Sequence, residues 1–112
     1  MPALKSSVVF GVEPEQLNEL LEINNRVLGG EHPETLYSKN DLAVLYKEQA
    51  RYEKAEPLLL EAVEGRRLKL GDTHPHTFES MRNLIELYEA WGKPEKAEEW
   101  RAKLPQTETV EQ

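Results

Sequence analysis

Many of the residues between positions 28 and 56 return 42 places later in the chain. Leu28-Gly29 becomes Leu70-Gly71, His32-Pro33 becomes His74-Pro75, and Thr35 becomes Thr77. Leu42, Leu45 and Tyr46 return as Leu84, Leu87 and Tyr88, and Glu53-Lys54-Ala55-Glu56 returns as Glu95-Lys96-Ala97-Glu98. Continued backwards, the register places Leu17, Leu20, Leu21 and Leu28 under Leu59, Ala62, Val63 and Leu70, so half a repeat precedes the two clear ones. A repeat of this length is one supersecondary unit that cannot bury its apolar face alone. It must stack on its neighbours to form a continuous core.

Within each repeat the apolar spacing is that of a helix. Leu36, Leu42, Ala43, Leu45 and Tyr46 line one helix, and Tyr52, Ala55, Leu59, Ala62, Val63 and Leu70 line the next, at steps of three and four. Short connections force neighbouring helices to run antiparallel. The pattern predicts five helices near 14–28, 34–49, 52–69, 76–90 and 94–104. The expected fold is all-α, a right-handed superhelical solenoid of antiparallel helix pairs with about two and a half repeats. Residues 13–105 form the repeat domain, 1–12 an N-terminal extension and 106–112 a disordered acidic tail.

Gly29 and Gly71 follow the last apolar residue of a helix, where a left-handed backbone costs least without a Cβ. Pro33 and Pro75 suit the first helical position, which makes His32 and His74 the caps. Gly92 breaks the second helix pair, but the matching place in the first pair holds Ala50, which calls for strained left-handed backbone or a different turn. Pro57 falls inside a predicted helix, where it removes a hydrogen bond and should bend the axis. Gly65 is expected to remove a packing side chain at a cost of roughly 1 kcal/mol in helix propensity.

The stretch LGGEHPETLYSKNDLAVLYKEQARYEKAEPLLLEAVEGRRLKLGDTHPHT resembles the tetratricopeptide repeats of kinesin light chains. It is similar to them in its 42-residue spacing, its Leu-Gly-x-x-His-Pro-x-Thr linker, and its Asn-x-Leu-Ala-x-Leu-Tyr and Tyr-x-x-Ala-Glu-Pro-Leu helices. The resemblance covers about residues 14–104. It implies a protein-interaction module or scaffold, without implying association with kinesin. In such solenoids the first helix of each pair lines the concave side, which binds the partner.

The helix over 34–49 has a core side, and by helical geometry its opposite side carries Tyr37, Asn40, Asp41, Val44, Lys47 and Glu48. The repeat offset adds Glu79, Arg82, Asn83, Glu86 and Glu89 from the helix over 76–90. Tyr37, Asn40, Val44, Lys47, Glu79, Arg82, Asn83 and Glu86 are the candidate partner-binding residues. The resemblance implies that Asn40, and Arg82 at the matching place, contact a peptide backbone. An Asn amide both donates and accepts, and Arg82 could hold a carbonyl or a carboxylate. The face leans acidic, so a basic or mixed peptide suits it. The alternative is that polar residues on a helix face are simply solvated; Asn40 and Arg82 favour the groove reading, whereas Glu79, Glu86 and Glu89 favour the solvated one.

Composition narrows the alternatives. A formal charge of −7 disfavours nucleic acid and anionic membrane surfaces as partners. No apolar run approaches the roughly 18 residues of a membrane span. The opening MPALKSSVVFGV is a poor secretory signal, and the chain has no cysteine, which together suggest a cytoplasmic protein. No metal site or cofactor is expected: two of the three histidines are linker caps, and no helical HxxxH pair exists. No nucleophile has a base at a readable spacing, so no catalysis is expected. The array opens on half a repeat, so its first helix should expose apolar surface. That exposure allows an alternative role, homo-oligomerisation of a larger protein through the N-terminal helix as a possible homodimer. Val8-Val9-Phe10 could also pack on that helix.

Overall fold

The computed structural model describes residues 14–104. Five helices lie among the described residues: α1 (Pro14–Leu28), α2 (Pro33–Glu48), α3 (Tyr52–Leu70), α4 (Pro75–Ala90) and α5 (Pro94–Lys103). Each packs on the next in sequence, and α2 also touches α4. This is an all-α helical repeat, with α2–α3 and α4–α5 as its two complete pairs. The expectations for Val8-Val9-Phe10 and for the tail from Pro105 lie outside the described residues.

The caps explain where the helices start. Pro33 and Pro75 open α2 and α4. His32 Nδ1 accepts the backbone N–H of Glu34 at 3.1 Å, and His74 Nδ1 accepts that of His76 at 3.0 Å. The imidazole thus satisfies one of the donors a helix leaves open at its N-terminus. The stops are equally local. Gly29, Gly71 and Gly92 have φ of 98°, 103° and 78°. Ala50 takes φ 62° at the place where Gly92 stands in the second repeat, so the first pair keeps the same turn and accepts the strain. α3 continues through Pro57, whose missing N–H deprives the Glu53 carbonyl of its helical donor.

The core runs along the stack as Leu42, Ala43, Leu59, Val63, Leu84, Leu87, Tyr88 and Ala97, all buried. Tyr88 donates its phenol to Glu56 at 2.6 Å, and burial, with Glu56 behind it, raises its pKa. Trp91, just past the end of α4, stacks on Tyr52 and on Tyr88 at centroid distances of 5.8 and 6.3 Å. Leu28 and Leu70 depart from the apolar pattern: each ends its helix and stays exposed. Gly65 also departs from expectation. A Cβ there would stand 2.5 Å from Leu36 Cδ2 and 3.1 Å from Cδ1. The glycine does not leave a gap. It lets buried Leu36 of α2 press against the backbone of α3.

Candidate functional site

The predicted face is built by α2 and α4, with α3 behind it. Its residues do not share one environment. Tyr37 is 57 % exposed, and Arg82, Glu79 and Glu86 are exposed too. Val44, Lys47 and Asn83 are partly buried. Asn40 is buried, and its Oδ1 accepts from Ser80 Oγ at 3.1 Å and from Asn83 Nδ2 at 3.2 Å. Asn40 thus ties α2 to α4, and its carbonyl oxygen is engaged within the fold. Lys47 and Glu86 also meet across the two helices, at 3.6 Å.

Behind this seam stands Arg66 of α3, a residue absent from the predicted face. It is buried, and its Nη1 donates to Ser80 Oγ at 2.9 Å, to the His76 carbonyl at 3.0 Å and to Glu79 at 3.4 Å. A chain of polar contacts therefore runs from Arg66 through Ser80 to Asn40 and Asn83, joining three helices. Burial of a guanidinium is tolerable only with such partners. The repeat contained a signal for this chain: Ser38 stands 42 residues before Ser80, and Asn24 before Arg66. Asn24 Nδ2 donates to Ser38 Oγ at 3.2 Å, so the first repeat has a neutral version of the same link.

Asp41 lies on the same face, partly buried and without a hydrogen bond or ion pair among the described residues. Burial raises its pKa, the Glu79 carboxylate raises it further, and Arg66 offsets part of the rise. A carboxylate held this way gains from a cation brought to it. Beside it, Leu36, Tyr37, Lys69, Leu70 and His76 border a small apolar slot at the N-terminal ends of α2 and α4. A larger furrow of about 690 Å³ opens elsewhere, floored by Val63 and Met81 and walled by Leu60 and Trp100. On its rim Arg67 pairs with both Glu64 and Asp72, at 3.0 and 2.9 Å, so the three together carry a net charge of −1.

The family model of the tetratricopeptide repeat matches residues 15–68 and again 48–101, which together take in all five helices almost entirely. The chain belongs to the tetratricopeptide repeat family. No curated protein matches it. Proteins of this repeat family are in general protein–protein interaction modules, and α2 and α4 are the first helices of the two complete repeats here.

Among the described residues no three histidine, cysteine or acidic side chains gather as a metal-binding group. No helix among them is long and apolar enough to cross a membrane.

Proposed function

We propose that this tetratricopeptide repeat module is a non-catalytic cytoplasmic scaffold of the kinesin light chain-like type. Its α2–α4 face receives a basic or mixed segment of a partner protein. The observation that carries this reading is Asp41, a partly desolvated carboxylate without an ion pair among the described residues, one helical turn from the exposed ring of Tyr37. A lysine or arginine of the partner would relieve the electrostatic cost of Asp41 and Glu79 together, while Tyr37 would supply an aromatic anchor of the kind that dominates interfaces. Arg82 and Asn83, further along the same face, supply polar groups for an extended backbone. Asn40 supports the surface through Ser80 and Asn83 and does not itself contact the segment.

A random peptide library displayed on phage tests the proposal. Selection on the wild-type chain should enrich sequences with lysine or arginine near an apolar residue. Asp41→Lys should lose them, and Tyr37→Ala or Arg82→Ala should weaken each selected peptide about tenfold, the loss of one interface anchor. Enrichment of acidic peptides, or binding indifferent to Asp41 and Tyr37, would sink the reading.

A further inference from the structure

α1 carries an apolar stripe that no other described element covers. Leu20, Ile23 and Val27 are 50 %, 46 % and 71 % exposed. At the helical repeat angle they fall within about 60° of one another around the axis. One flank of the stripe packs on α2 through buried Leu21 and through Asn24, which bonds Ser38. The other flank carries Glu19 and Arg26, both exposed and neither in an ion pair among the described residues.

The repeat register shows what does not fit this face. Leu20, Ile23 and Val27 correspond to Ala62, Gly65 and Lys69 of α3. There α2 lies so close that a Cβ on Gly65 would stand 2.5 Å from Leu36 Cδ2. A helix set against α1 as α2 is set against α3 would collide with Ile23. The stripe instead suits a wider contact in which bulky side chains interdigitate, with axes about 8–10 Å apart.

We infer that a second copy of this chain occupies the stripe, with α1 packed antiparallel on α1 about a two-fold axis near Ile23. The charge pattern is self-complementary for this arrangement and for no parallel one. Glu19 and Arg26 lie on the same flank, one turn to either side of Ile23. A two-fold axis there sets Glu19 beside Arg26 of the partner subunit, and Arg26 beside Glu19 of the partner subunit. Parallel packing about a two-fold axis would put the Glu19/Arg26 flanks of the two copies on opposite sides of the contact, where they could not pair. An isologous contact needs just this self-matching patch. The exposed parts of three apolar side chains offer only a few hundred Å² per chain, short of the roughly 800 Å² per partner in a standard interface. The dimer is therefore weak and reversible. It leaves the α2–α4 face open, so this inference goes beyond the peptide-binding proposal and stands or falls independently of it.

Sedimentation equilibrium of the full chain, from micromolar to near-millimolar concentration, tests it. Wild type should move reversibly between monomer and dimer. Ile23→Glu and Val27→Glu should each stay monomeric with unchanged helicity. Glu19→Arg and Arg26→Glu should each weaken the dimer about tenfold by setting like charges opposite, and the double variant should restore it. A wild-type monomer at every concentration overturns the inference. If Ile23→Glu then lowers the melting temperature, residues 1–13 or another helix cover the stripe instead. A dimer indifferent to all four substitutions overturns it as well, by placing the contact elsewhere.

Discussion

Leu36 of α2 lies against the bare backbone of Gly65 in α3, so close that a Cβ would come within 2.5 Å of Leu36 Cδ2. Leu36 is buried, and a Cβ on Gly65 would push its methyl groups out of their present packing. Gly65→Ala gains about 1 kcal/mol of helix propensity but incurs overpacking of about 1–3 kcal/mol. A net loss of about 1 kcal/mol is expected, and a larger one for Gly65→Val. Thermal unfolding measures both, and a stabilised Gly65→Ala would show that Leu36 has room to retreat.

The buried polar chain should behave as a unit. Ser80→Ala removes the hydroxyl that donates to Asn40 and accepts from Arg66. Leaving those groups short of a partner should cost about 1–3 kcal/mol. Asn40→Ala should cost a similar amount, and the double variant less than the sum, with a coupling of about 1 kcal/mol. Urea unfolding of the four proteins in the cycle measures the coupling. Strict additivity would mean the two side chains do not act together.

Ala50 offers a stabilising change. Its left-handed backbone costs about 1–2 kcal/mol, while a glycine there would lose only part of that to unfolded-chain entropy. Ala50→Gly, which copies Gly92 from the second repeat, should gain about 0.5–1 kcal/mol. A lower melting temperature for this variant would contradict the turn described here.

The histidine caps predict a selective loss. His74→Ala removes the acceptor for the His76 N–H and should cost about 1 kcal/mol. His74→Asn, whose side-chain oxygen can accept the same N–H, should recover most of it. Equal destabilisation by Ala and Asn would show that the ring, and not its Nδ1, matters.

Asp41 predicts a pH dependence of known sign. Burial raises its folded pKa above the unfolded value, so the ionised form is the costly one in the fold. That cost is full above the folded pKa and fades as pH falls through it. Asp41→Asn should therefore melt higher than wild type at neutral pH, and the difference should close on acidification. A variant less stable at neutral pH would mean that attraction to Arg66 outweighs burial. The same substitution separates stability from binding, since a selected basic peptide should bind it less well.

The repeat, its helices, caps and stops were legible in the chain because each rests on local rules: apolar residues at helical steps, Pro33 and Pro75 at first positions, Gly29 and Gly71 at left-handed ones. The face of α2 and α4 followed from the same periodicity. Tertiary structure decided which residues on that face are buried. Asn40 and Arg82 hold equivalent places in the repeat, yet α4 lies over Asn40 and buries it, while Arg82 remains exposed. Position in the stack, not residue type, separates them. The same holds for Gly65 and Ile23, which share a register: one gives way to Leu36 and the other stands uncovered. Periodicity reports which side of a helix a residue occupies, but burial depends on which neighbour arrives there and how closely, and that is a property of the packed array.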